Sequence, residues 1–175
     1  GHTAREWCER QRFAAAINAG MFATDYRTHV GYLRHGDHVN SSYANSYQSV
    51  AAFDPVDGAR SPRYRIFDLD DPGVSMQTIR RDYTSVAQNL RLIKRPGSNR
   101  WTQQAQRWSE AALGEDDQGR ILFIFSRSPQ TMHEFNRALL ALDIGLVAAQ
   151  HLEGGPEAQL YLSCGGEELE MFGSY

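Results

Sequence analysis

The chain has 175 residues, of which 41% are hydrophobic and 22% charged, an ordinary composition for one globular domain with its own core. The formal net charge of −3 argues against a general nucleic-acid binder, because such proteins are basic. No apolar run approaches the length of a membrane span. The two cysteines, Cys8 and Cys164, do not form a zinc motif, and the sequence leaves open whether they pair.

The first residues predict a helix. Thr3 and Glu6 have the spacing of a capping box, so a short helix to about Arg10 is expected. The Gly1-His2 start is typical of a tag remnant, and no signal peptide is visible. We therefore expect that the native N-terminus is missing and that residues 1–175 form a single domain.

Short apolar stretches between turn residues predict several strands and one helix over residues 13–93. The polar tip at 35–38 predicts a hairpin. Met76, Ile79 and Tyr83 share one helical face, which predicts a helix over 74–83. The predicted strands are 13–17, 30–34, 39–43, 49–54 and 64–67, and residues 85–93 form a further apolar run.

The C-terminal half begins with a strand–turn–strand pattern. Its second strand contains the most apolar run, 121–125, which predicts a central position in a sheet. Ser128 followed by Pro129 predicts the start of a helix that runs to about Leu142. Further strands are predicted at 146–149, 158–163 and 167–172. Three helices beside hairpin-connected strands predict an α+β domain with a mixed or mostly antiparallel sheet.

The stretch 151–162 is the strongest candidate for chemistry. Gly154 and Gly155 would let the backbone turn sharply and approach a ligand closely, and their N–H groups could form an anion-binding nest. Glu153 at the mouth of this turn could serve as a nucleophile or base. A tight interstrand turn with solvated acids explains the same residues, and the local pattern alone favours it.

Three polar groups elsewhere have two interpretations each. Asn18, before a glycine turn, would bind a ligand or its own turn backbone. Gln88, inside an apolar run, would bond backbone groups or face a site. Arg127, at the predicted helix start, would hold a phosphate together with the helix dipole, or would be an ordinary surface arginine.

Metal sites are not favoured by the sequence. His35 and His38 lie at a predicted hairpin tip, which supplies neither converging ligands nor a second shell. Asp68, Asp70 and Asp71 lack the spacing of an EF-hand loop, so a charged surface turn is expected instead of a calcium site. We expect no metal and no cofactor.

Five short motifs occur in order along the chain, at residues 17–22, 30–33, 109–114, 125–129 and 151–156. Together they resemble the phosphodiester glycosidase domain family, whose bacterial members are often related to exopolysaccharide biosynthesis. The resemblance spans nearly the whole chain. Many members carry Asn-Leu-Asp-Gly-Gly where residues 151–155 stand, and Glu153 keeps that carboxylate on a longer side chain. Many also carry an arginine in the segment that here reads Ser109-Glu110-Ala111.

The resemblance implies a hydrolase that cleaves a sugar-1-phosphodiester at the anomeric C–O bond, with a periplasmic or secreted location. It implies Glu153 and Asn18 as catalytic residues and a carbohydrate or sugar phosphate as the partner. The residues that would bind the substrate are Gly154, Gly155, Arg127, Ser126, Gln88, Ser109 and His151.

Two other functions remain open at the level of the sequence. A non-catalytic glycan-binding domain on the same fold could stack sugar rings on Trp101, Trp108 or Tyr161, although core packing is the more frequent use of such residues. A metal-assisted phosphodiesterase would use the aspartates at 68–71 or the histidines at 35 and 38.

Overall fold

The computed structural model describes residues 2–175, and three helices and thirteen strands lie within them. The helices are α1 (Ala4–Gln11), α2 (Met76–Asp82) and α3 (Met132–Leu140). The strands are β1 (Ala15–Ile17), β2 (Leu33–His35), β3 (His38–Ser41), β4 (Ser49–Pro55), β5 (Tyr64–Asp68), β6 (Tyr83–Asn89), β7 (Arg91–Lys94), β8 (Ser98–Asn99), β9 (Trp108–Asp116), β10 (Ile121–Gln130), β11 (Leu146–Gly154), β12 (Gln159–Cys164) and β13 (Glu167–Phe172).

These strands form three sheets. Two have five strands, in the orders β10-β9-β11-β7-β8 and β3-β2-β6-β4-β5, and the third has the order β1-β12-β13. Every pairing between these strands is antiparallel. The predicted α+β class with a mostly antiparallel arrangement is confirmed. We call the first sheet the α3-side sheet and the second the α2-side sheet.

The two five-stranded sheets pack face to face and each carries a helix on its other face. Between them lies a core to which β4, β5, β9 and β11 contribute, with Tyr64, Ile66, Leu113 and Leu152 among its members. Helix α3 packs Met132, Phe135 and Leu139 against the α3-side sheet. Helix α2 packs Ile79 against Val50, Ala52 and Val86 of the α2-side sheet. Burial of aliphatic side chains on both faces of each sheet stabilises this layered arrangement.

The chain crosses between the two large sheets in the middle of the apolar run predicted at 85–93. Strand β6 ends at Asn89 in the α2-side sheet, and β7 begins at Arg91 in the α3-side sheet. The backbone carbonyl of Leu90, at the crossing, accepts a hydrogen bond from the N–H of His151 at 2.8 Å. This crossing brings the end of β6 close to β11.

The helix predicted to start at Ser128 starts later. Strand β10 continues to Gln130, and Thr131 caps α3 in a capping box with Glu134. Pro129 is tolerated because β10 is an edge strand, where a missing N–H need not break the ladder. Arg127 therefore lies within a strand, and the prediction that it stands at a helix N-terminus was wrong. At the other end of the chain, the capping box of Thr3 and Glu6 is confirmed for α1.

The most apolar strand is also not central. β10 lies at the edge of the α3-side sheet, and Ile121 and Phe123 are 44% and 42% exposed. Their apolar side chains line an open cleft beside the sheet and are not covered by a further strand. The prediction of a central position was therefore wrong.

Both cysteines are free: Cys8 is buried and Cys164 is exposed. Among the helices that the structure describes, none is long and apolar enough to cross a membrane.

Candidate functional site

The predicted catalytic stretch begins inside a strand. β11 pairs His151 with Ala112, Glu153 with Ala111 and Gly154 with Glu110, and the register shifts between His151 and Glu153. Such irregularities re-aim side chains and occur often near active sites. A single 3-10 turn, Gly155–Glu157, follows. Gly155 has a φ of +66°, which a glycine adopts without strain.

Glu153 is partly buried at the end of β11. Its Oε1 accepts a hydrogen bond from the N–H of Gly154 at 3.0 Å. Burial raises the pKa of the Glu153 carboxyl, and the Gly154 N–H and the charge of His151 oppose this shift only in part. The carboxyl therefore holds a proton to a higher pH than a free glutamate, as suits a general acid or base near neutrality.

His151 on β11 and Glu110 on the neighbouring strand β9 form a buried ion pair. His151 Nδ1 and Glu110 Oε1 are 2.5 Å apart, and the two residues are 4% and 2% exposed. Trp108 Nε1–H donates to the other carboxylate oxygen, Oε2, at 3.2 Å. The paired charges compensate each other in a place where a lone charge would be costly.

The pKa values of this pair and of Glu153 depend on one another. Burial raises the pKa of Glu110, and the charge of His151 offsets part of the rise. Burial alone would lower the pKa of His151, but the attraction of Glu110 outweighs it and the pKa is raised. Glu153 contributes to both shifts. Sequence reasoning named His151 but missed Glu110, because their pairing depends on the register of β9 against β11.

Ser109, predicted to bind sugar, holds the segment 173–175 in place. Its Oγ donates to the carbonyl of Arg127 at 2.9 Å and accepts the N–H groups of Ser174 at 2.8 Å and Tyr175 at 3.2 Å. A Cβ added to Gly173 would lie 1.8 Å from the carbonyl oxygen of Gly155. The segment 173–175 therefore packs closely on the Gly154–Gly155 turn.

The anion nest predicted at this turn has one donor already in use, because the N–H of Gly154 bonds to Glu153. Arg127 is exposed on β10, and its carbonyl oxygen accepts the hydroxyls of Ser109 and Ser174. Its backbone thus lies beside Ser109. Ser126 Oγ donates to the carbonyl of Ser128 and accepts from Gln130 Nε2, both at 3.0 Å.

Asn18 stabilises the C-terminal end of the turn through two hydrogen bonds. Its Nδ2 donates to the carbonyl of Glu157 at 3.0 Å, and its Oδ1 accepts the N–H of Gln159 at 2.7 Å. The backbone role is therefore the one that the structure supports, although the backbone bonded belongs to a distant turn. Asn18 also lines three clefts, of about 460, 270 and 230 Å³. Of the described residues that line these three clefts, none is Glu153.

Gln88 does not face the turn. It is fully buried, its Nε2 donates to the carbonyls of Asn45 and Tyr47, and its Oε1 accepts the N–H groups of Asn45 and Tyr32. Of the two alternatives given for Gln88, backbone bonding is the one observed.

A buried polar floor lies beneath the glycine turn that follows Asn18. Asn89 Nδ2 donates to the carbonyl of Ala19 at 3.1 Å, and His29 Nε2 donates to the carbonyl of Gln88 at 2.7 Å. A Cβ on Gly20 would come within 2.3 Å of both Asn89 Oδ1 and His29 Cε1. Only a glycine fits this approach, which places the turn directly on buried polar groups.

The three aspartates and His35, among the groups considered for metal binding, have protein partners. Lys94 Nζ lies 2.6 Å from carboxylate oxygens of both Asp70 and Asp71, and Arg91 pairs with Asp68 and Asp70. The hairpin His35 is exposed and bonds Ser85 Oγ through Nδ1 at 2.8 Å. Over residues 2–175, no cluster of three or more histidine, cysteine, aspartate or glutamate side chains could hold a metal ion.

Comparison with known proteins decides the family. The sequence profile of the phosphodiester glycosidase family matches residues 11–172. The chain belongs to the phosphodiester glycosidase family. The match includes every predicted site residue, from Asn18 to Gly155, whereas most of α1 precedes it. Among curated proteins, no sequence matches significantly.

Two solved structures share the fold of this phosphodiester glycosidase family member. One is the catalytic domain of zebrafish N-acetylglucosamine-1-phosphodiester alpha-N-acetylglucosaminidase, auto-inhibited by its pro-peptide, with a TM-score of 0.68 and 15% identity over 96% of this chain. The other is a hypothetical protein from Synechocystis, with a TM-score of 0.63 and 16% identity over 97% of this chain. The chain spans 59% and 51% of these two chains, respectively.

Proposed function

We propose that this chain is a hydrolase that cleaves the bond between the anomeric carbon of a sugar and a phosphodiester oxygen. The observation that carries the proposal is the partly buried Glu153 carboxyl, with its raised pKa, at the Gly154–Gly155 turn of a chain whose family is the phosphodiester glycosidases.

The proposed reaction needs few catalytic groups. A phosphate monoester is a good leaving group, so strong protonation of the leaving oxygen is less necessary than for an alcohol. The site needs a carboxylate near the developing oxocarbenium ion and donors around the phosphate. The C–O bond breaks with its electrons going to the phosphate oxygen, and water adds to the anomeric carbon.

Glu153 is proposed as the carboxylate, either as nucleophile or as the base that takes the proton from water. The charge of His151, which lowers the pKa of Glu153 against the effect of burial, is proposed to favour the ionised form of Glu153 until it receives that proton. The Gly155 N–H and the exposed Arg127 are proposed phosphate contacts. Asn18 is proposed to fix the turn through Glu157 and Gln159.

The direct test is Glu153→Gln. The glutamine Oε1 can still accept the Gly154 N–H, so the variant is expected to fold with an unchanged melting temperature. Its kcat on hexose-1-phosphate diesters is expected to fall by about 100-fold or more, the range for loss of an acid–base group. Glu157→Gln, an exposed carboxylate on the same turn, is the matched control and should retain activity. Turnover at the wild-type rate in Glu153→Gln would remove Glu153 from the catalytic role.

A second candidate, a glycan-binding domain without catalysis, is supported by one feature. The cleft of about 460 Å³ is lined by the exposed aromatic residues Trp7, Phe13 and Phe22 together with Asn18 and Gln159, and exposed rings beside polar groups suit sugar stacking. The aromatic residues that the sequence suggested are not available for sugar stacking, because Trp101 and Trp108 pack against the core between helix α3 and the α3-side sheet and Tyr161 is buried. A binder would retain oligosaccharide and release no product.

A further inference from the structure

A cleft of about 270 Å³ opens between the two large sheets at the β10 edge. We call it the edge cleft. It is lined chiefly by apolar side chains from both sheets, among them Leu33, Phe53, Leu113, Ile121, Phe123 and Leu152. Ile121 and Phe123 leave over two fifths of their surface exposed, so the rim of the cleft is apolar as well. Concave apolar sites of this kind are the usual form of small-molecule sites.

One buried amide on the wall of the edge cleft is incompletely bonded. Gln150 is fully buried and lines the cleft. Its Oε1 accepts the hydroxyl of Ser49 at 3.0 Å. Its Nε2 has no hydrogen-bond partner among the residues that the structure describes. A buried N–H without an acceptor costs free energy, so the site favours any occupant that supplies one.

The other polar side chains around the cleft have hydrogen-bond partners outside it, although those of Arg34 are incomplete. The guanidinium of Arg34 donates to the carbonyls of Arg80 and Tyr83 through Nη2, whereas its Nε has no partner among the described residues, and His35 bonds Ser85. Asn18 is bonded to the turn at Glu157. No carboxylate is among the described residues that line the cleft. The cleft thus presents hydrocarbon walls, the unpaired amide nitrogen of Gln150 and the partly bonded guanidinium of Arg34.

We propose that the edge cleft binds an apolar group that carries a hydrogen-bond-accepting oxygen, such as the carbonyl of an acyl chain. The hydrocarbon lies against Phe53, Leu113 and Phe123, and the carbonyl oxygen accepts from Gln150 Nε2. The occupant covers the apolar rim at Ile121 and also accepts a hydrogen bond from the unpaired amide nitrogen of Gln150. The proposal of this binding site is independent of the proposed hydrolysis, because Glu153 is not among the residues that line the edge cleft.

Two matched probes test the acceptor requirement in the wild-type chain by NMR titration. One is 2-octanone, and the other is 2-methyl-1-octene, which replaces the carbonyl oxygen with a methylene group. We expect 2-octanone to shift the side-chain amide resonances of Gln150 saturably, and to bind about three- to tenfold more tightly than the hydrocarbon, the value of one neutral hydrogen bond. Equal affinities, or shifts that spare Gln150, would overturn the proposal.

Gln150→Met supplies the second arm, because methionine keeps the size of the side chain and removes the N–H. The preference for 2-octanone should disappear in this variant. Gln48→Met is the matched control, since Gln48 bonds the carbonyl of Ser46 and lies outside the cleft lining. It should keep the preference. A preference that persists in Gln150→Met contradicts the assignment of the donor, and the wild-type comparison decides the matter if that variant does not fold.

Discussion

At the scale of single residues, the proposed hydrolysis depends on three ionisable groups on two neighbouring strands. Glu153 has a carboxyl whose pKa burial raises, and the His151–Glu110 pair lies 2.5 Å apart beside it. Titratable groups that perturb one another in a partly closed place are common at catalytic sites. Taken as a set, they titrate together, so changing one should move the others.

The first prediction concerns the pH dependence of stability. The pKa values of His151 and Glu110 are both raised in the folded chain, so folding strengthens proton binding at both. The contribution of His151 is fully present below about pH 6.5, its unfolded value, and is lost as the pH rises through the raised pKa. The raised pKa of Glu110 acts with the same sign from about pH 4.3 upward.

Urea unfolding between about pH 6 and about pH 9 checks this sign. The free energy of unfolding of the wild type should fall with rising pH more steeply than that of the Glu110→Gln, His151→Asn double variant, which has neither titrating group. The titrating groups that are not coupled to this pair are shared and cancel in the difference. A wild-type curve that runs parallel to that of the double variant, or rises relative to it, contradicts the raised pKa values.

Single residues could be read from the sequence only where their partners are local. The capping box of Thr3 and Glu6 is separated by three positions and was predicted correctly. Glu110 was missed because its partner, His151, is 41 positions away and meets it only through the strand register. Asn18 shows the same limit, since its hydrogen bonds go to Glu157 and Gln159, which no local pattern connects with it.

At the scale of elements, the start of α3 shows that residue types typical of a helix cap do not by themselves locate the cap. Ser128-Pro129 has the residue types of a helix start, but Thr131 with Glu134 makes both capping-box bonds. Sequence patterning placed β12 and β13 within one residue and the start of β11 at Leu146, because apolar alternation is a strong local signal, but it ended β11 at Ala149 and not at Gly154. It misplaced β10, because an apolar strand that borders a cleft has the same composition as a central strand.

The second prediction follows from the observed cap. Thr131→Ala removes the side chain that accepts the N–H of Glu134, and should lower the free energy of unfolding by about 1 kcal/mol. Ser128→Ala, in the edge strand, should leave it nearly unchanged. Chemical denaturation of the two variants measures both values. A larger loss for Ser128→Ala than for Thr131→Ala would place the start of the helix at Ser128.

At the scale of the whole molecule, buried carboxylates link the two large sheets, and Glu115 is one of them. Glu115 of β9 accepts the backbone N–H of Ile66 of β5 at 2.7 Å and lies 2.6 Å from a guanidinium nitrogen of Arg95. Arg65, on the same strand as Ile66, is a further partner at 3.4 Å. The sheets are therefore held together by this polar link as well as by the apolar core between them.

The third prediction tests that link. Glu115→Ala leaves the partly buried Arg95 and the N–H of Ile66 without their acceptor, and should cost about 3–5 kcal/mol of unfolding free energy, as broken buried pairs do. Glu9→Ala, which breaks an exposed pair with Arg5, is the control and should have no measurable effect. Equal losses in the two variants, measured by urea denaturation, would show that the Glu115 link does not hold the sheets together.

The family match and the layered fold are properties of the whole chain. The type of reaction, in contrast, is identified by the substrate atom that water attacks. The most direct test is hydrolysis of a hexose-1-phosphate methyl diester by the full chain in water labelled with oxygen-18, with the products analysed by mass spectrometry. We expect the label to enter the sugar, because the anomeric C–O bond breaks. Label found in the phosphate would mean that the P–O bond breaks, and would contradict a glycosidase centred on Glu153.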